Sequence, residues 1–117
     1  MIQKERTKLD KLTEKINQFR DAREWRQFHN PKDLAISISL EASELLENFQ
    51  WNTSEEAKMK SIENIEQELA DVFIYSLMLA SDLELNVEKI INDKLELNAQ
   101  KYPIEKSRGI KKKYTEF

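Results

Sequence analysis

Apolar positions recur along this chain with helical rather than strand spacing. Leu9, Leu12, Ile16 and Phe19 lie three or four residues apart and predict a first helix over about 3–24. The stretch "EWRQFHNPKDL" interrupts it, because a residue before proline disfavours the helical region while proline itself suits a new first turn. A second helix is expected over about 31–49, carrying Leu34, Ile38, Leu45, Leu46 and Phe49. "WNTSEEA" reads as a connector, with Thr53 or Ser54 as the cap of a third helix over about 54–82, bent near Ser61. That helix holds "ELADVFIYSLMLA", apolar on nearly all sides. A fourth helix follows over about 87–100, capped by Asn86 and closed by Pro103.

The expected architecture is all-α, a bundle of about four helices in one domain over 1–103, with a basic, flexible tail over 104–117. So apolar a third helix needs a cover that one chain of 117 residues does not supply, which predicts a homo-oligomer. Composition narrows the function classes. The absence of cysteine excludes disulfides, thiol nucleophiles and cysteine-based zinc sites. A net charge of −3 offers no general attraction to a nucleic acid polymer or to a membrane. The first residues lack the apolar run of a signal peptide, and the longest apolar run is too short to span a bilayer, so a cytoplasmic protein is expected.

The chemistry points to acids. Glu41 and Glu44 in "EASELLE", and Glu68 and Asp71 in "ELAD", are pairs three apart, so each pair shares one helix face. With 22 acids in the chain such spacing is common, and most instances are solvated surface. These two pairs differ in lying among Ile, Leu, Val and Phe with no Lys or Arg within a turn. If the two helices face each other, four carboxylates converge, and each pair about 4 Å apart repels by about 4 kcal/mol at an effective dielectric near 20. A divalent cation relieves that better at pH 7 than protonation does. All-oxygen donors suit Mg²⁺, or Mn²⁺ in its place, over zinc.

The spacing Glu41-x-x-Glu44, 23 residues, Glu68-x-x-Asp71 resembles the signature of the MazG-like all-α nucleoside triphosphate pyrophosphohydrolases. "REWRQFHNPKDL", "EASELLENFQW", "ELADVFIY" and "KLELNAQKYP" resemble, in order, blocks of the dCTP pyrophosphatase branch. The resemblance implies hydrolysis between the α- and β-phosphates of a nucleotide such as dCTP or modified dCTP, giving monophosphate and pyrophosphate and clearing unwanted deoxynucleotides. It implies that Glu41, Glu44, Glu68 and Asp71 are Mg²⁺ ligands and catalytic residues. It also implies that Trp25, His29, Trp51 and Tyr75 surround the nucleotide, with Lys94, Asn98, Lys101 and Tyr102 near its phosphates or sugar. Members of the family form dimers or tetramers, so a homodimer or homotetramer is implied.

The residues themselves leave other readings open. Both tryptophans border loops and suit base stacking, yet tryptophans are ordinarily core or interface residues. His29, the single histidine, would by itself be a polar loop residue, and Tyr75 a half-buried core tyrosine. Lys94, Asn98 and Lys101 share a face that water alone would satisfy. Spacing leaves the general base open, with Glu44 or Glu47 favoured. A glycine-rich phosphate loop is absent, so cations must hold a triphosphate. A di-iron bundle would need Glu-x-x-His pairs, which are absent. A non-enzymatic helical interaction module is the competing function, with Asp71 inside an apolar helix as the feature that speaks against it.

Overall fold

The structure, a computed structural model, describes residues 6–117. Helix α1 spans Lys8–Ala22 and starts at a capping box: the Asp10 amide donates to Thr7 Oγ1 at 3.1 Å, and the Thr7 amide to Asp10 Oδ2 at 3.0 Å. That cap sets the start five residues beyond the expected position 3; residues 3–5 lie outside the described residues, and 6–7 are not helical. Glu24, left-handed at φ 54°, turns the chain into a short 3₁₀ helix over Trp25–Phe28.

Helix α2, Pro31–Glu47, starts as the Asn-Pro pair predicts, with Pro31 in the first turn and the Asp33 amide donating to Asn30 Oδ1 at 2.9 Å. It stops two residues short of expectation. The Asn48 side chain donates to the Glu44 and Leu45 carbonyls and so satisfies groups that a further turn would have taken. Helix α3 runs over Ser54–Asp82 behind a Thr53/Glu56 capping box, and Ser61 inside it departs from helical geometry, at the expected bend. It ends in a Schellman arrangement: the Leu85 amide bonds the Ala80 carbonyl at 2.8 Å and the Glu84 amide bonds that of Ser81 at 3.1 Å. Glu84, at φ 56°, occupies the left-handed position usually taken by glycine.

These elements form a first unit, Met1–Leu85, in which α2 packs along α3 and α1 makes fewer contacts with α3. The second unit, Asn86–Phe117, holds α4 (Val87–Lys101, capped by Asn86), a single turn α5 (Ile104–Ser107) and a 3₁₀ turn over Tyr114–Glu116. Within it, Tyr102 meets Tyr114 and Phe117 edge-on at 5.8 and 5.9 Å. No strand occurs among the described residues, so the all-α expectation holds.

Few residues of one chain are fully buried. The apolar ones among those described are Leu34, Ala57, Met78 and Ala80. Leu40 and Leu46 on α2, and Met59 and Phe73 on α3, stay more than half exposed among the described residues. The most buried large side chain beside Leu34 is a cation, Arg20.

Candidate active site

Helix α2 carries Glu41 and Glu44 on one face, and α3 brings Glu68 against them. One carboxylate oxygen from each of the three lies within 4.8 Å of the other two. A capped, paired register holds this meeting: Asn48, one turn after Glu44, accepts at Oδ1 a bond from Asn64 Nδ2 at 2.7 Å, one turn before Glu68. Beside that bond lies a polar cavity of about 570 Å³, lined by residues including Asn48, Ser61, Asn64 and Gln67. Asp71 is half-buried on the next turn of α3; it stands outside the group of three but acts on it through its charge.

Two of the carboxylates are poorly served by the protein. Glu41 and Glu68 each keep one oxygen, Oε2, buried and without a hydrogen-bond partner among the described residues. No Lys or Arg forms an ion pair with Glu41, Glu44, Glu68 or Asp71 there either. At 4.8 Å and an effective dielectric near 20, two full charges repel by about 3 kcal/mol. Protonation answers part of this. Burial, then hydrogen bonding and repulsion from Glu44, and then the charge of Asp71 push the Glu41 carboxyl from 4.5 up to about 7. Glu68 is raised as well, first because its acid form bonds to Glu44. The Tyr75 hydroxyl is raised by burial and then by Glu41, Asp71 and Glu44, which places Tyr75 in the field of the acids.

A cation fits this donor set. The oxygens are hard donors, two are buried and unpartnered, and their mutual repulsion is the energy that a positive charge recovers.

The other expected site residues divide by location. Trp25 sits in the 3₁₀ helix, edge-on to Phe19 at 5.6 Å, with Arg23 over the Phe19 ring at 3.6 Å. Trp51 lies in the α2–α3 connector, left-handed at φ 64° and 98% exposed. A bulky residue in that conformation is strained, and among the described residues nothing covers its ring. His29, half-buried, has Nδ1 3.4 Å from Arg20 Nη1. Lys94, Asn98, Lys101 and Tyr102 belong to the second unit, where Lys101 lies 5.0 Å from the Tyr114 ring centre.

Two residues were not foreseen. Arg20 is wholly buried; it donates from Nε to Asn17 Oδ1 and from Nη1 to Asp82 Oδ2, both at 3.0 Å, and its Nη2 also pairs with Asp82. Arg26 Nη1 lies 3.7 Å from Asp82 as well. A signal existed: Arg20 follows Ile16 by four residues on the apolar stripe of α1, and Asp82 continues the Asp71, Tyr75, Met78 face of α3. Each is a charge set on an apolar helix face, as Asp71 is.

A helical fold built around convergent carboxylates defines a class of metal-binding helical proteins, and comparison with known proteins narrows it. The MazG-like family model matches residues 36–117. A pyrophosphatase of Archaeoglobus fulgidus, solved by crystallography, superposes with a TM-score of 0.79 at 39% identity, covering 88% of this chain and 99% of that one. The dCTP pyrophosphatase 1 of Rattus norvegicus is 35% identical over 104 residues, and that of Homo sapiens 33%. The alignments take in 85% of this chain but only 61% of either mammalian protein. This chain belongs to the MazG-like family.

Proposed function

We propose that this protein is a Mg²⁺-dependent nucleoside triphosphate pyrophosphohydrolase, cleaving dCTP or a modified dCTP to the monophosphate and pyrophosphate. The observation that carries the reading is the meeting of Glu41, Glu44 and Glu68 within 4.8 Å, with two oxygens buried and unpartnered. Similarity to proteins described as dCTP pyrophosphatases supports the substrate, and 39% identity to a solved pyrophosphatase supports the reaction.

Glu41, Glu44 and Glu68 would hold the cation, Mg²⁺ or Mn²⁺ in its place, with Asp71 adding negative potential and completing the set. Bound there, a divalent metal would neutralise triphosphate charge and supply Lewis acidity toward the phosphate oxygens. Glu47, exposed and three residues beyond Glu44, stands outside the convergent group, so its carboxylate is free to take a proton from the attacking water. Water oxygen joins the α-phosphorus, the bond to the bridging oxygen breaks, and pyrophosphate leaves. Trp25, Trp51, His29 and Tyr75 would lie around the nucleotide, as the family resemblance implies.

The working form is a homodimer or homotetramer. Each large apolar side chain is worth about 1.5–3 kcal/mol when buried, and the exposed Leu40, Leu46, Met59 and Phe73 would gain this from another subunit. No helix among the described residues is long and apolar enough to cross a membrane, which accords with a cytoplasmic nucleotide-pool enzyme. A pure interaction module would explain the exposed apolar surface but not the unpartnered carboxylate oxygens. Product chromatography with eight common nucleotides, with Mg²⁺ and with EDTA, tests the reading. Monophosphate and pyrophosphate should form with Mg²⁺ only, fastest from dCTP; diphosphate plus phosphate, or no turnover, would overturn it.

A further inference from the structure

Arg20 is a charged side chain with no exposure, in a part of the first unit that the metal reading does not use. Its partners account for its charge and its direction. Asp82 takes two of its nitrogens and Asn17 takes Nε, while Asn17 is itself tied to α3 by a bond from Nδ2 to Ser81 Oγ at 3.0 Å. The guanidinium is therefore locked between α1 and the end of α3. What remains is the contact from Nη1 to His29 Nδ1 at 3.4 Å.

A guanidinium only donates hydrogen bonds. The atom facing it must offer a lone pair, so the ring proton of the neutral imidazole belongs on Nε2. His29 lies at the end of the 3₁₀ helix, one residue before the α2 cap, and its amide is held by the Arg26 carbonyl at 3.1 Å. With backbone and Nδ1 both fixed, the half-buried ring has one polar group left, Nε2–H, which has no partner among the described residues.

We propose that Arg20, anchored by Asp82 and Asn17, is a positioning residue that sets His29 as a fixed Nε2–H donor for an acceptor atom on the nucleobase. This rests on the reading above that His29 meets the nucleotide. A ring carbonyl or unprotonated ring nitrogen of a pyrimidine is the acceptor that such a donor selects. The recognition is thus set from behind by an ion pair that need not touch substrate. An unfixed imidazole would present an acceptor in half its tautomers and discriminate less.

The chain has a single histidine, so long-range ¹H–¹⁵N correlation on labelled protein at pH 8 reads its tautomer without ambiguity. The native protein should show the Nε2–H pattern alone, and the R20M/D82M pair, which removes both charges together, should show tautomer averaging. An Nδ1–H pattern, or an unchanged pattern in the pair variant, overturns the proposal whether or not nucleotide is ever hydrolysed. Turnover supplies the second arm. R20M/D82M should raise KM for dCTP about tenfold with a much smaller change in kcat, and should cost almost nothing further in a His29→Ala background. An equal loss in both backgrounds would make Arg20 merely structural and refute the proposal. A native enzyme without turnover refutes the recognition role along with the functional reading, while the NMR arm still decides the tautomer.

Discussion

Glu41→Gln should make the metal-free protein more stable and the metal-loaded protein worse. In the folded chain the Glu41 carboxyl is pushed up to about 7, chiefly by burial and then by Glu44, against an ordinary 4.5. Between these two values the folded state holds more protons than the unfolded state, so stability falls as pH rises from about 4.5 and levels off above about 7. At about 1.4 kcal/mol per pKa unit the full displacement corresponds to about 3 kcal/mol. Water reaches the cluster on one side and screens it, which leaves about 1–2 kcal/mol. Glutamine keeps the shape, removes the charge and gives neighbouring Glu44 and Glu68 a donor in place of a repelling oxygen. Melting curves in EDTA should nearly coincide at pH 5, where native Glu41 is already protonated. At pH 8 the variant should melt higher by about 4–8 °C, taking about 4 °C per kcal/mol for a domain of this size. The stabilisation that Mg²⁺ gives the native protein, about 2.7 kcal/mol at 100 times its dissociation constant, should shrink sharply. A variant less stable than native in EDTA at pH 8, or a difference independent of pH, would show that no charge repulsion is stored at this site.

Light scattering on the full chain should give a dimer or tetramer, and a fully active monomer would refute the assembly. Asp82→Asn should destabilise the protein by about 3 kcal/mol, since it leaves the wholly buried Arg20 charge unpaired. Asp82 is held below the ordinary carboxylate range first by its Arg20 hydrogen bond, so the native pair's contribution should persist above pH 4 and fade only as pH falls through that lowered value; denaturant titrations of native and variant at pH 7 and pH 3 compare the two. Trp51→Gly should raise KM for the nucleotide without lowering Tm, because the ring is 98% exposed and the left-handed backbone favours glycine by about 1 kcal/mol. A fall of several degrees would make Trp51 a packing residue instead.

The sequence by itself determined the helices and most of their ends. Caps are local chemistry: Asn30-Pro31, Thr53 with Glu56, and Asn86 each act on amides within one turn, so they are legible without a fold. The spacing also placed Glu41 beside Glu44 and Glu68 beside Asp71, since residues three apart share a face whatever the helix packs against. Where α2 stops was decided by the Asn48 side chain turning back on its own helix, an orientation that residue type alone leaves free. Tertiary structure decided which acids converge. The packing of α2 on α3 brings Glu68 to Glu41 and Glu44 and leaves Asp71 outside the group of three, a distinction that periodicity does not contain. It decided the Arg20–Asp82 pair as well, whose members stand 62 residues apart. A charge on an apolar stripe signals that a partner must exist, because burial without one is too costly. Which partner is a matter of how helices cross, and that geometry comes only from packing the whole chain.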